Sequence, residues 1–317
     1  MKTIWLVIPC YNEEEVLPET AKRLLEIHQK LVNTNKITPQ SKICMVNDGS
    51  KDKTWSIISK LHNENNIFSG INLSRNRGHQ NALLAGLMTA KEYADAVISL
   101  DADLQDDINV IEKFVDCFNN GYDIVYGVRS SRKTDTFFKR FTAEGFYKVM
   151  KVLGVDVVFN HADYRLMSKR ALEGLSEFKE VNLFLRGIVP QIGYPSTIVE
   201  YERHERFAGE SKYPLKKMLS FAFDGITSFS VKPMKIIINI GIAVFFVSII
   251  MLLYALISKI LGFAVSGWTS LIGSIWMIGG IQLLSLGIVG EYVGKIYSES
   301  KQRPRYIIQE LLNEEDV

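Results

Sequence analysis

Cysteine, charge of one sign and internal repetition are all scarce in this chain, and each scarcity excludes a class of protein. Only Cys10, Cys44 and Cys117 occur in 317 residues. They are odd in number and lack metal-ligand spacing. Cys10 and Cys44 lie in apolar runs, which fits buried thiols of a reducing compartment rather than a disulfide framework. The 37 Lys and Arg against 35 Asp and Glu leave a net charge of +2, which gives no basis for expecting nucleic acid as a partner. No G-x-G-x-x-G follows the first apolar run, so a dinucleotide-dependent dehydrogenase is disfavoured. No basic segment precedes a long apolar one at the start, where a strand begins at Ile4, so no cleaved signal peptide is expected.

Charge is also missing from two long stretches. Residues 236–258 and 260–290 contain no charged side chain, and each exceeds the roughly 20 apolar residues a spanning helix needs. Lys212, Lys216, Lys217, Lys232 and Lys235 precede the first stretch, and Lys295, Lys301, Arg303 and Arg305 follow the second. Only Lys259 lies between them. The positive-inside rule therefore predicts two transmembrane helices, about 236–258 and 268–290, joined by an outer turn near 262–267. The expected organisation is a cytoplasmic domain over 1–230, a membrane hairpin over 231–295 and a cytoplasmic tail over 296–317. Both termini then face the cytoplasm at the plasma (inner) membrane. The acidic residues 310–317 read as a frayed end.

What is present in the first half is regular alternation. Apolar runs at residues 4–9, 43–46, 68–73, 97–100 and 124–128 read as buried strands. Helical patterns separate them, with Leu17, Ala21, Leu24, His28 and Leu31 on one face of the first. This predicts a doubly wound, mostly parallel α/β sheet. Two later segments, about 136–153 and 213–229, mix Phe, Leu and Met with Lys and Arg. Helices of that kind lie on a membrane surface or pack on a core; the second leads straight into a span, which favours the interfacial reading there.

Strand ends carry the chemistry. Asp101, Asp103, Asp106 and Asp107 follow the fourth apolar run within seven residues. Carboxylates at the carboxyl end of a buried strand sit where open α/β sheets bind ligands. Asp101 and Asp103, two apart, can turn oxygens toward one Mg²⁺ or Mn²⁺, which is usually held by one or two carboxylates plus substrate phosphates. The plainer alternative is a solvated acidic turn in which Asp106 or Asp107 caps the next helix. Tyr11, Asn12 and Glu13 follow the first strand and Asp48 the second, so these groups can meet in the same crevice. Gly49 would let the chain pass close to Asp48. His161 and His204 lie near these motifs without metal-ligand spacing.

Pro9-x-Tyr11-Asn12-Glu13, Asn47-Asp48-Gly49-Ser50 and Asp101-Ala102-Asp103-Leu104-Gln105 together resemble family 2 glycosyltransferases of the GT-A fold. Asp163-Tyr164-Arg165-Leu166-Met167 and Arg206…Gly209-Glu210-Ser211-Lys212 narrow the resemblance to the polyprenyl-phosphate branch, which includes bactoprenol glucosyltransferases and dolichol-phosphate mannose synthase. Asn47 stands where that family usually has an acid, and Asp107-Ile108 replaces a commoner proline pair.

The resemblance implies a GT-A domain with interfacial helices and a two-helix hairpin. It implies that Pro9, Tyr11, Asn12 and Glu13 border the nucleotide, that Asp48 contacts base or ribose, and that Asp101 and Asp103 hold the metal with Ala102 and Gln105 beside it. Arg129, Arg206 and Lys212 match cations near the donor phosphates. Arg140 and Arg206 match arginines facing the lipid phosphate. Asp103 and Asp163 would act at the reacting centre. The implied reaction is inverting transfer from a nucleotide sugar to undecaprenyl phosphate. UDP-glucose is the leading donor, ahead of UDP-N-acetylglucosamine, UDP-galactose and GDP-mannose. A homo-oligomer, such as a tetramer, is also implied. Processive polysaccharide synthases of the same superfamily carry Gln-x-x-Arg-Trp, and no Trp here follows an Arg. A catalytically silent scaffold is the remaining alternative, though it would have no need for Asp101 and Asp103.

Overall fold

The computed structural model describes residues 1–130, 161–181, 183–202, 232–261 and 267–313. The expected segments 136–153 and 213–229, with Arg140, His204, Arg206 and Lys212, lie outside them.

Among the described residues eight strands form one sheet: β1 (Ile4–Cys10), β2 (Lys42–Asn47), β3 (Phe68–Leu73), β4 (Ala96–Ser99), β5 (Ile124–Arg129), β6 (His161–Ser168), β7 (Ser196–Tyr201) and β8 (Ile308–Leu312). Their order is β7-β5-β6-β4-β1-β2-β3-β8. The helices are α1 (Leu17–Asn33), α2 (Thr54–Glu64), α3 (His79–Tyr93), α4 (Ile111–Asn119), α5 (Lys169–Ser176), α6 (Leu185–Gln191), α7 (Lys232–Ile260) and α8 (Trp268–Ser300).

β1 is buried along its whole length because helices cover both of its faces. Ile4, Leu6 and Ile8 pack with Leu17 and Leu24 of α1 and Phe114 of α4. Trp5 and Val7, pointing the other way, pack with Ala82, Leu84 and Leu87 of α3 and with Leu172 of α5. A strand buried on both faces reads as a continuous apolar run, which is why it was legible. Gly86 lets α3 sit close to the sheet: a Cβ there would lie 2.4 Å from Val7 Cγ1 and 2.8 Å from Val46 Cγ2.

The sheet is parallel across β4-β1-β2-β3. Beyond them it departs from a purely parallel sheet through β6 and β8, while the other strands keep one direction, as the expected mostly parallel sheet requires. β6 is inserted antiparallel between β4 and β5, and β7 pairs parallel with β5.

The C-terminal region departs further from expectation. Residues 308–312 are not frayed; β8 pairs antiparallel with β3. Ser69 Oγ donates to Leu312 O at 2.8 Å, and Lys42 Nζ to Asn313 Oδ1 at 2.6 Å. The physical reason is that β3 would otherwise end the sheet with an open row of backbone groups. The end of α8 is tied to the same domain, since the Glu299 carboxylate accepts from Val181 N and Arg305 Nη2 donates to Phe178 O.

α7 and α8 have 29 and 33 residues, so at 1.5 Å per residue they are about 43 and 50 Å long. Many of their large apolar side chains are exposed, among them Ile250, Leu253, Leu283 and Leu286. Among the described residues, Met277–Ser300 is one helical stretch long and apolar enough by itself to cross a membrane, and Met234–Val244 is a shorter apolar one. The expected outer turn falls largely on residues that are not described.

Candidate active site

β1, β2, β3 and β4 run parallel, so their carboxyl ends share one edge of the sheet, as ligand sites of open α/β sheets require. Every described candidate residue lies on these ends or on β5 and β6.

The loops after β1 and β2 are stapled together. Asn12, at φ 51°, receives a bond from Lys51 N at 2.9 Å on its side chain, while its own N–H donates to Ser50 Oγ at 3.0 Å. Glu13 N donates to Thr54 Oγ1, and Lys53 N to the Glu14 carboxylate. Asp52 accepts from Thr54 N at the start of α2. Pro9 is buried in β1 opposite Val46, while Tyr11 is exposed at its end. Asn47, in place of the usual acid, donates through Nδ2 to Asn72 Oδ1 and accepts from Ser50 N. It therefore joins β2 to β3 and shapes its own turn.

Asp48 is 2% exposed. Its two oxygens accept from Arg77 N at 2.7 Å and Gly78 N at 2.9 Å, so the carboxylate shapes the 75–79 loop from inside. Gly49 explains how that loop gets so close. It has φ +61°, and a Cβ there would stand 2.4 Å from Asn76 N. Gly78, at φ +85°, then turns the chain into α3.

The first residue of α3, His79, links this loop to the acids. Its Nε2 lies 3.6 Å from Asp101 Oδ1 and 3.6 Å from Asp163 Oδ2. Asp163, on β6, also takes Arg165 Nη2 at 2.5 Å and Arg186 Nη2, from α6, at 3.0 Å. Burial alone would raise the Asp163 carboxyl, but Arg186, His79 and Arg165 outweigh it and hold the group well below the usual carboxylate range. Asp163 is thus ionised and clasped.

The acidic loop itself contains both a turn and a cluster. Leu104 has φ 56°, and Asp103 Oδ1 accepts from Gln105 N. Ala102 is buried, and its carbonyl accepts from Thr20 Oγ1 of α1 at 2.8 Å. Asp107 caps the following turn by accepting from Asn109 N, so the plain capping role falls to it alone. Asp106 points inward, toward Tyr201 and Arg129.

Packed surroundings, and the charges of Asp106, Asp163 and Asp103, push Asp101 up to about 6 against the pull of His79. Asp101 and Asp103, two residues apart at this sheet edge, are carboxylates of the kind that suit a hard divalent cation. Among the described residues no three His, Cys, Asp or Glu groups form a cage for a metal. A site completed by substrate phosphate has no need of one.

His79, Arg165, Arg186 and Tyr201 were not singled out in the sequence. Arg165 lay inside a quoted motif. His79 follows a Gly in the loop after the third strand, and nothing near Arg186 or Tyr201 signals a site.

β2 to β6 and nearly all of β1, with the shared edge and the acidic loop, fall within a single family model, described as Glycosyl transferase family 2, over residues 5–176. The chain belongs to that family. A second model, described as GtrB C-terminal hairpin, matches residues 232–296 of this glycosyltransferase. The sheet is GT-A-like, with a Rossmann-like parallel core. The "Uncharacterized glycosyltransferase YkoT" of Bacillus subtilis (strain 168) is 55% identical over 311 residues, covering 98% of this chain and 92% of that one. The "Prophage bactoprenol glucosyl transferase homolog" of Escherichia coli (strain K12) is 41% identical over 308 residues, with 96% and 98% covered. The "Bactoprenol glucosyl transferase" of Shigella phage SfV is 41% identical over 309 residues, with the same coverage.

Proposed function

We propose that this family 2 glycosyltransferase moves glucose from UDP-glucose to undecaprenyl phosphate, with inversion at the anomeric carbon. The reading is supported above all by one conjunction. An acidic loop and a clasped, ionised Asp163 share a sheet edge in a chain that also carries two long helices with exposed apolar surfaces. Near-full-length relatives named for bactoprenol glucosyl transfer support the same acceptor.

In this reading a phosphate oxygen of the acceptor attacks the anomeric carbon, the bond from that carbon to the donor's diphosphate breaks, and UDP leaves. One in-line displacement turns an α-linked donor into a β-linked product. Asp101 and Asp103 would hold Mg²⁺ or Mn²⁺, which relieves charge on the leaving diphosphate. Tyr11, Asn12, Glu13 and Asp48 would border the nucleotide, Asp48 by holding the 75–79 loop in shape. Arg129, Arg206 and Lys212 would meet the donor phosphates, and Arg140 and Arg206 the lipid phosphate.

The state of Asp163 supports an orienting role rather than that of a base. A carboxylate held well below its usual range is a poor proton acceptor near neutral pH. A phosphomonoester acceptor is already ionised there, with a charge of about −1.5 to −2 by analogy with phosphoserine. Asp163 therefore orients Arg165, Arg186 and His79 around the reacting centre and removes no proton.

α7 and α8 would cross the plasma membrane as a hairpin with both ends cytoplasmic, keeping the polyprenyl tail in lipid while its phosphate reaches the site. The test is transfer of labelled sugar from a panel of nucleotide sugars into undecaprenyl phosphate. A β-linked lipid product from UDP-glucose supports the proposal, a product from another donor corrects the sugar, and no product overturns it.

A further inference from the structure

Asp106 is an acid that the chemistry above does not use. It lies three residues past Asp103 but faces inward, with 4% of its side chain exposed. A buried carboxylate beside a phosphate site is costly and repels the donor unless it is paired. Its Oδ1 accepts from the Tyr201 hydroxyl at 2.6 Å and from Arg129 Nη2 at 3.4 Å, and Arg129 Nε reaches the same hydroxyl at 3.4 Å. Its Oδ2 is buried and has no partner among the described residues.

The surroundings are built to hold this triad. Tyr201 ends β7, and its ring meets that of Tyr164 edge-on at 5.4 Å. Tyr164 OH donates to Asp107 O at 3.1 Å, tying the stack to the acidic loop. Gly127 of β5 leaves room for both rings, since a Cβ there would lie 3.0 Å from the Tyr164 ring and 3.1 Å from the Tyr201 ring. Ser130 donates through N and Oγ to Tyr201 O. Burial and the Asp106 charge push the Tyr201 phenol up, so its hydroxyl stays a donor at neutral pH. Arg129 keeps 26% of its side chain exposed, so the latch fixes it without enclosing it.

We infer that Asp106 and Tyr201 are positioning residues that hold the Arg129 guanidinium beside the acidic loop for contact with the donor's diphosphate. The inference rests on the proposed function only in taking Arg129 to face those phosphates.

The experiment is a mutant cycle on the full-length enzyme in detergent. It is read by the KM for UDP-glucose and, independently of turnover, by calorimetric affinity for UDP with Mn²⁺. Tyr201→Phe and Asp106→Asn each raise the KM and weaken UDP at least about fivefold, with a smaller fall in kcat. In an Arg129→Gln background neither adds more than about twofold, because residues acting through a shared partner are non-additive. Equal losses in both backgrounds, or a lowered Tm with unchanged KM and UDP affinity, would make the latch a fold element only and overturn the inference. Tyr201→Phe removes one oxygen and tests the same point where Asp106→Asn does not fold. Absence of sugar transfer by the unmutated enzyme sinks the proposed function instead, and the UDP affinities still decide the latch.

Discussion

Replacing Asp163 with Asn tests the electrostatics of the site at its most buried point. Arg165 is 1% exposed, and its Nε and Nη1 have no partner among the described residues. Its Nη2 depends on Asp163, whereas Arg186 is a third exposed and can turn to water. Asp163→Asn keeps the shape but leaves the Arg165 charge uncompensated. Breaking a buried pair costs about 3–5 kcal/mol, out of a typical total of about 5–15 kcal/mol. At about 2–4 °C per kcal/mol for a large domain, Tm falls by about 6–20 °C. Asp163→Asn with Arg165→Met removes both charges and should recover at least half of that loss, but not turnover. Thermal unfolding followed by near-ultraviolet circular dichroism, alongside sugar transfer, separates the two effects. An Asp163→Asn protein within about 1 kcal/mol of the unmutated one would refute the buried pair. Near-full turnover would refute the role of Asp163 in the reaction. The pair also sets a pH dependence. The folded carboxyl is depressed, so its stabilisation is complete above the unfolded value of about 3.9 and is lost as pH falls through the folded value.

Gly49→Ala places a Cβ 2.4 Å from Asn76 N at φ +61°, and the left-handed conformation alone costs about 1–2 kcal/mol. The 75–79 loop must shift, so the KM for the nucleotide sugar should rise; an unchanged KM and Tm would show that the close approach is absent in solution. Ending the chain after Arg305 removes β8 and its ladder to β3. A handful of hydrogen bonds at about 0.5–1.5 kcal/mol each predicts a loss of about 2–4 kcal/mol in thermal unfolding and aggregation through the freed edge on size exclusion. A truncated protein that melts and elutes like the full chain would contradict this. His28 is buried, with Nε2 bonded to Ser41 O and Nδ1 without a partner among the described residues. Burial lowers its pKa, so the unfolded chain takes the proton first and stability falls as pH drops below about 6.5. His28→Gln should flatten that part of the stability–pH curve, and an unaltered slope would remove His28 as its cause.

How much could be read from the sequence depended on burial and on distance along the chain. β1 and β2 are apolar throughout because both faces are covered, and the acidic loop announced itself by charge. β7 alternates exposed and half-buried positions, with Ile198 more than half exposed, so no run marked it. β8 carries Gln309 and Glu310 and looked like a tail; its strand character comes from the vacant edge of β3, which is a tertiary fact. Asp101 and Asp103 stood out as a local pair. His79, Arg165 and Arg186 converge on Asp163 from a helix start, a strand and a second helix. Only the folded sheet edge makes them neighbours. Asp106 and Asp107 were indistinguishable as letters, yet one caps a turn and the other is turned inward onto Tyr201.

The measurement that bears most directly on the central claim is transfer of labelled glucose from UDP-glucose into undecaprenyl phosphate by the purified enzyme, with Mg²⁺ or Mn²⁺ and with EDTA. A β-linked lipid product that disappears with EDTA and with Asp103→Asn is the predicted result. Product formation that survives both would contradict the metal-bearing acidic loop, and no product from any nucleotide sugar would contradict the assignment of a polyprenyl-phosphate glycosyltransferase.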